Sequence, residues 1–257
     1  MSVFGRDADA WWSLMAAIVM SCACSRVPGL ATQYEYDETL DLSLAGSATV
    51  FVNGSIPALV ALHGADLDPD PLARFDRAKV RELYTAPGVR VRQITTSRRH
   101  GRRFVHLALD VDAVQELERV APFSWSRYRF DRAGDEYVFI QSLHGAPARQ
   151  VPGVDWTGGE LVAFRLHLPS RVLFHNAPAG NLRRGNILLW EQPLSDRLAA
   201  APARFEVRME PESILFRTLL IFGLTFLAAA ATLAGVVWLV MRQGRKGAAV
   251  AGQSQGA

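Results

Sequence analysis

Apolar and polar residues alternate with a period of two along most of the chain between residues 38 and 210. In "TLDLSL", Leu40, Leu42 and Leu44 fall on one side and polar residues on the other, and Gly46 then precedes the similar run "SATVFV". A period of two is typical of half-buried strands, and two such runs around a short glycine-containing turn predict a β-hairpin.

Further hairpins follow the same pattern. The runs "VRVRQITTS" and "RFVHLALDV" predict a second hairpin, and "WSRYRF" and "EYVFIQS", joined by "DRAGD", predict a third. Four later runs also predict strands: "LVAFRLHL", "RVLFHN", "NILLWEQ" and "ARFEVRM". In the second hairpin we expect Val105, Leu107, Leu109 and Val111 to face inward, and Phe104, His106 and Asp110 to face outward.

Two segments with helical spacing interrupt the strands. "DPDPLARFDRAKVRELYTAPG" offers Asp70 as a cap and ends at Pro87, and "VDAVQELERVAP" places Asp112 and Gln115 at capping-box spacing and ends at Pro122. Adjacent antiparallel strands with few helices predict an α+β fold, an antiparallel β-sheet of hairpins with two helices on one face. The apolar stripes are expected at Leu72, Phe75, Val80, Leu83 and Tyr84, and at Val114, Leu117 and Ala121.

An apolar run over residues 11–23 lies near the N-terminus and is too short to cross a bilayer as a helix. It predicts a secretory signal over residues 1–23, although Asp7 and Asp9 offset the positive charge that usually begins such a signal. The small residues before Cys24 resemble the lipobox of bacterial lipoproteins, so we expect Cys24 to carry the lipid, with Cys22 as the alternative acceptor. The other interpretation is a signal anchor with two unmodified thiols.

A second apolar run, residues 218–241, contains no charged residue and is long enough to span a membrane. We expect a transmembrane helix over 216–241, an extracytoplasmic domain over 24–212 and a disordered cytoplasmic tail over 242–257. Arg242, Arg245 and Lys246 follow the span, and the positive-inside rule places them in the cytoplasm. The predicted location is therefore the cytoplasmic (inner) membrane, crossed once, with the body outside.

The layout of these segments resembles a known family. The lipobox, the opening "LSLAGSATVFVN", the closing block "FRLHLPSRVLFHNA…GNILLWEQPL" and the C-terminal span together resemble the LppM-type lipoproteins of bacteria. The resemblance implies an α+β extracytoplasmic domain without an established enzymatic activity. It supplies no catalytic residue to transfer to this chain.

Composition and motifs narrow the chemistry further. The net charge of +3 does not argue for nucleic-acid binding, and no phosphate-binding or dinucleotide motif occurs. None of the six histidines stands at metal-ligand spacing, and two close cysteines predict neither a disulfide nor a metal site. The stretch "ALHGAD", residues 62–66 with Ala61, resembles the His-Gly turn of lipase oxyanion loops, but the accompanying G-x-S-x-G elbow is absent.

The densest polar feature is "SRRHGRRF" at the turn of the second predicted hairpin. One interpretation is a solvated turn that protects a sheet edge. The other is a site where Arg98, Arg99, Arg102 and Arg103 together contact anionic phospholipid head groups.

These observations predict a membrane-anchored envelope lipoprotein whose outer domain is a non-catalytic interaction or lipid-ligand-binding module. The expected partners are cytoplasmic-membrane lipids and either a lipid-like ligand or another membrane protein, with no nucleic acid, metal or cofactor. The alternative is an envelope hydrolase of unrecognised type.

Overall fold

The structure, a computed structural model, describes residues 34–145 and 149–253. This part of the chain contains eleven strands and four α-helices, with two short 3₁₀ helices between the fourth and fifth strands. The strands are β1 Tyr34–Leu42, β2 Ala48–Ser55, β3 Val89–Arg99, β4 Arg102–Val111, β5 Ser126–Ala133, β6 Glu136–Leu143, β7 Leu161–His167, β8 Ser170–His175, β9 Leu182–Arg183, β10 Ile187–Pro193 and β11 Ala203–Ser213. The helices are α1 Ile56–His63, α2 Arg77–Leu83, α3 Leu194–Leu198 and α4 Ile214–Gln253, and the 3₁₀ helices are Val114–Arg119 and Ala121–Phe123.

The strands form two sheets. One has seven strands in the order β3-β4-β2-β1-β7-β10-β9, and the other has four in the order β5-β6-β11-β8. In the seven-stranded sheet β1 and β7 run parallel, with Glu38 opposite Phe164. The mixed α+β class and all three predicted hairpins are confirmed.

The expectation of a single antiparallel sheet is wrong. A parallel pair needs a long crossover connection, and here the chain between β1 and β7 first completes β2 to β6. The chain leaves the first sheet after β4 and forms β5 and β6 in the second sheet. It then comes back to the first sheet as β7, which pairs parallel to β1.

The core lies between the inner faces of the two sheets. Phe205 of β11 meets Phe164 of β7 with ring centroids 5.0 Å apart and Trp190 of β10 at 4.8 Å. Such aromatic pairs contribute roughly 0.5–1.5 kcal/mol each beyond the burial of their area. The buried residues of β1, β2, β4 and β11 form one continuous apolar cluster with these rings.

The first predicted helix begins later than expected. α2 starts at Arg77, and Asp76 caps it by accepting from the backbone N–H of Ala78 at 2.9 Å. Asp70 instead accepts from the N–H of Leu72 at 2.8 Å in a local turn, and Leu72 is 79% exposed. Short aspartate side chains that bond nearby backbone groups compete with helix formation, and this competition delays the start.

The second predicted helix is replaced by two 3₁₀ segments. Val114 and Leu117 are buried as expected, but Ala121 is exposed. Asp112 does not act as a cap, because its carboxylate pairs with Arg90 at 3.1 Å on the neighbouring strand.

Helix α1 has no counterpart in the sequence-based prediction. Ser55 caps it by accepting from the N–H of Ala58 at 3.1 Å, and Gly64 ends it with a φ of +62°. Its residues are buried on nearly every side, so it lacks the apolar stripe that reveals a surface helix.

The alternation predicted for β4 holds on the inner face and fails at one outer position. His106 and Asp110 are partly exposed, but Phe104 is wholly buried. The guanidinium of Arg99 lies over the Phe104 ring at 4.1 Å and covers part of it. A large ring at the end of β4 is thus shielded on the face that the alternation assigns to solvent.

Candidate functional site

Helix α4 is the most conspicuous feature of the described chain. Its segment Ile214–Leu239 spans 26 residues, is strongly apolar and has none of its length buried against the body. At 1.5 Å per residue it extends about 39 Å, longer than the roughly 30 Å of a bilayer's hydrocarbon core. By length and composition this helix is able to cross a membrane.

The junction between body and helix has no linker. β11 ends at Ser213 and α4 begins at Ile214, whose N–H donates to the carbonyl of Pro169 at 2.9 Å. The hydroxyl of Ser213 accepts from the N–H of Phe216 at 3.0 Å and so caps the first turn. The β7–β8 turn and the end of β11 therefore lie beside the start of the apolar segment.

Four charged side chains brace this junction. Arg217, in the first turn of α4, contacts Glu210 and Glu212 of β11, each at 2.9 Å. Arg171 of β8 contacts the same Glu210, and this hydrogen bond lowers the pKa of the Glu210 carboxyl. The first turn of the helix is thus tied to two strands of the four-stranded sheet.

The predicted arginine site lies at the tip of the β3–β4 hairpin, where His100 and Gly101 both have positive φ, as a type I′ turn requires. The register pairs Arg99 with Arg102 and Arg98 with Arg103. Because side chains alternate along a strand, the first pair points to one face of the hairpin and the second pair to the other. The four guanidinium groups do not form one cluster.

Two of these arginines already have partners. Arg103 is buried and donates to the carbonyls of Pro71 and Ala73, both at 2.6 Å. Arg102 is mostly buried and pairs with Glu35 at 2.9 Å and Glu160 at 3.5 Å.

The other two are more open. Arg99 covers Phe104, and Arg98 is exposed on the opposite face. Arg98 and Arg99 are therefore the exposed arginines of the predicted anion site.

A cleft of about 460 Å³ opens beside this hairpin tip, between it and two proline-rich loops. Its lining includes Arg102 together with Asp68, Asp70 and Asp155. Three negative charges against one positive charge disfavour an anionic ligand here. Among the described residues no group of three or more His, Cys, Asp or Glu side chains has the arrangement of a metal site.

A buried polar cluster links the two sheets. The carboxylate of Glu38, on β1, accepts from the hydroxyl of Tyr36 at 3.0 Å, the hydroxyl of Tyr128 at 3.3 Å and the side-chain amide of Gln141 at 3.2 Å. Tyr128 and Gln141 belong to the other sheet. Burial raises the pKa of Glu38 to about 7, despite these three donors.

The His-Gly turn in "ALHGAD" is the end of α1. Nδ1 of His63 accepts from the indole N–H of Trp125 at 2.6 Å, and Nε2 is shielded from solvent. Desolvation lowers the pKa of His63 to about 3, so its ring is neutral near pH 7. The His63 ring packs against Tyr36 and Trp125 as part of the core, so it has a structural role.

Both candidate lipid acceptors, Cys22 and Cys24, lie outside the described residues, as does the predicted signal 1–23. The predicted tail 242–257 is described only as backbone up to residue 253, where it continues α4.

These regions define a class of protein, a β-rich α+β body joined to one apolar helix. No protein-family model matches the sequence. No curated protein matches it either. Among solved structures, the chain is similar to the NMR structure of the folded domain of LppM from Mycobacterium tuberculosis, at 9% identity and a TM-score of 0.41, over 72% of this chain and 95% of that one. At this score the similarity assigns neither a family nor a function to the chain.

Proposed function

We propose that this protein is a single-span membrane protein whose extracytoplasmic body binds a partner at the membrane surface. The observation that carries the proposal is the apolar helix Ile214–Leu239, which leaves the body without a linker. The three basic residues after the span favour a cytoplasmic C-terminus, and a lipid on Cys24, or on Cys22, would tether the other end to the same membrane.

A body tethered at both ends stays close to lipid head groups and to neighbouring membrane proteins. One continuous apolar core and the buried polar cluster around Glu38 occupy the space between the two sheets, which favours binding on the surface of the body over binding inside it. Arg98 and Arg99 are the exposed arginines at the hairpin tip, so we assign them the contact with anionic head groups. Arg102 and Arg103 hold the tip in shape through their buried contacts.

Topology is tested with the full chain in a bacterial membrane. A C-terminal green fluorescent protein should fluoresce and a C-terminal alkaline phosphatase should be inactive, because the first matures only inside and the second only outside. The opposite pattern would reject the orientation. Labelled palmitate should enter the wild type and the Cys22→Ser variant but not Cys24→Ser. Label in the wild type and in Cys24→Ser but not in Cys22→Ser would move the lipid to Cys22.

The head-group contact is tested by native mass spectrometry of the full chain in detergent with phosphatidylglycerol or phosphatidylcholine. Arg98→Gln/Arg99→Gln should retain less phosphatidylglycerol than the wild type and equal phosphatidylcholine. Arg183→Gln/Arg184→Gln is the matched control, because both side chains are also exposed. Equal loss in both double variants, or no loss in either, would remove the hairpin tip from the proposal.

A further inference from the structure

Three polar side chains form a hydrogen-bonded row across the outer face of the seven-stranded sheet. The Oγ of Ser97, on β3, lies 2.7 Å from Nε2 of His106, on β4. The Nδ1 of the same imidazole lies 2.9 Å from Oδ1 of Asn53, on β2. Asn53 stands directly opposite His106 in the strand register, and all three residues are half-buried.

The identities of these atoms fix the position of each proton. Oδ1 of Asn53 only accepts hydrogen bonds, so Nδ1 of His106 donates to it. A neutral imidazole with its proton on Nδ1 has a lone pair on Nε2, and the hydroxyl of Ser97 therefore donates to that nitrogen. Partial burial and the charge of Arg99 lower the pKa of His106, which keeps the ring neutral at pH 7.

A serine hydroxyl that donates to a neutral imidazole, whose other nitrogen is held by a side-chain oxygen, is the arrangement of acyl-transfer enzymes on several unrelated folds. We propose that Ser97 and His106 are the nucleophile and the general base of a site that hydrolyses carboxylic esters, with Asn53 as the residue that positions the base. This activity goes beyond the binding role proposed above. It does not depend on that role, because Ser97, His106 and Asn53 are not among the side chains assigned to the head-group contact.

The chemistry requires only an ester and water. Oγ of Ser97 bonds to the ester carbonyl carbon while its proton passes to Nε2 of His106, and the carbonyl oxygen becomes an oxyanion. The bond to the leaving alcohol then breaks, the alcohol takes the proton from Nε2, and an acyl-serine remains. Water attacks this acyl group through the same base, which releases the carboxylic acid and returns the proton to Ser97.

The hairpin geometry supplies a donor for the oxyanion. β3 is an edge strand, and in a two-residue hairpin the pair that flanks the turn, Arg99 and Arg102, is the hydrogen-bonded one. Hydrogen-bonded and non-hydrogen-bonded pairs alternate along an antiparallel ladder, so the N–H of Arg98 points away from β4. This is the residue after the nucleophile, and its free N–H lies at the edge where a substrate carbonyl has access.

Charge indicates the kind of ester. Arg99 lies two residues after Ser97 on the same face of the sheet, and its charge already acts on His106. A guanidinium at this place attracts a substrate that carries a negative group beside the ester. We therefore expect esters with an anionic substituent to react faster than matched neutral esters.

A fluorophosphonate probe tests the nucleophile directly, because it bonds to an activated serine with loss of fluoride. In the detergent-solubilised full chain, mass spectrometry should find the label on Ser97. Ser97→Ala should lose it, and His106→Gln should label about a hundredfold more slowly, as expected when a general base is removed. Ser124→Ala is the control variant, because the Ser124 hydroxyl is exposed and bonds only to the carbonyl of Ala121 in its own turn.

Labelling that persists in Ser97→Ala, or that is no faster in the wild type than in His106→Gln, would overturn the proposal and leave the row as a structural hydrogen-bond ladder. Circular dichroism on each variant separates lost chemistry from lost folding. The substrate class is tested with 4-acetoxybenzoate against its neutral methyl ester. A rate ratio that favours the anion in the wild type and falls in Arg99→Gln is expected, and an unchanged ratio would remove the charge preference.

The positioning role of Asn53 has its own readout. Asn53→Ala should slow labelling, whereas Asn53→Asp, which keeps an acceptor oxygen, should restore it. The aspartate should also move the midpoint of the pH-rate profile upward, because a carboxylate stabilises the imidazolium. An unmoved profile would assign Asn53 a purely structural role. Lipid retention and topology should be the same in the Ser97, His106 and Asn53 variants, so a failure of the ester site leaves the membrane-surface proposal intact.

Discussion

Large apolar side chains are buried in the body and exposed on helix α4, within a short stretch of chain. Val207 and Met209, near the end of β11, are wholly buried, whereas Phe222 and Phe226 of α4 are 70% and 73% exposed. In water the exposure of so many large apolar residues would cost roughly 25 cal/mol for each Å² of apolar surface. Burial against lipid removes this cost, and the contrast argues that the two regions are built for different solvents.

The charged residues show the same division. Arg217 pairs with Glu210 and with Glu212 where the two regions meet, and the charge-free apolar segment begins immediately after Arg217. The change from a charged to a charge-free stretch of chain thus falls within about one helical turn. Substitutions in the helix, in the core and at the surface of the body test this contrast.

Charges placed in the middle of α4 should give the largest effect. Leu227→Arg/Leu233→Arg puts two guanidinium groups in the apolar segment at a cost of roughly 2.5–3.5 kcal/mol each. In a background without Cys22 and Cys24, this variant should be released from membranes by alkaline carbonate. Leu227→Ile/Leu233→Ile should stay in the pellet, and retention of the arginine variant would contradict a membrane span.

A matched pair of phenylalanines tests whether stability depends on the body alone. Phe205→Ala should lower the free energy of unfolding of the body by about 3–5 kcal/mol, because it empties the space between Phe164 and Trp190. Phe226→Ala should change it by less than about 0.5 kcal/mol. Urea unfolding in detergent, followed by tryptophan fluorescence, measures both, and equal losses would mean that α4 is part of the folding core.

The strands were predictable because most are buried on one side only. In β1 and β11 the period of two directly records which side chains face the core. Helix α1 was not predictable in this way, since Ile56, Leu59 and Leu62 are buried together and leave no polar face. The division into two sheets depends on pairings between distant strands, such as β1 with β7, which no local pattern reports.

The candidate sites show the same limit. Alternation across the two-residue turn at His100-Gly101 already implies that the four arginines divide between two faces, so the sequence contained that correction. Alternation alone does not predict the row of Ser97, His106 and Asn53, because β2 and β4 are neighbours in space but not in sequence. The outward position of His106 was predicted, but its two partners depend on the strand register.

The buried carboxyl group of Glu38 should make stability depend on pH. Its pKa of about 7 in the folded protein exceeds the ordinary value of 4.5, so the folded state binds the proton more tightly than the unfolded state. The contribution is complete below pH 4.5 and is lost as pH rises to about 7, with a total of about 3 kcal/mol at 1.36 kcal/mol per pH unit. Glu38→Gln should flatten this part of the curve measured by thermal unfolding, and an unchanged slope would show that Glu38 remains ionised inside the fold.

The smallest effect is expected at the hairpin tip, where a buried and an exposed arginine stand opposite each other in the register. Arg103→Gln should lower the free energy of unfolding by about 2 kcal/mol, because two charge-assisted hydrogen bonds to the carbonyls of Pro71 and Ala73 are lost. Arg98→Gln removes the same charge from the exposed side and should change it by less than about 0.5 kcal/mol. Chemical unfolding of the two variants side by side separates an arginine that holds the fold from one that is free to bind. Equal values would mean that the two faces of the tip do not differ, and Arg103 would then return to the proposed head-group contact.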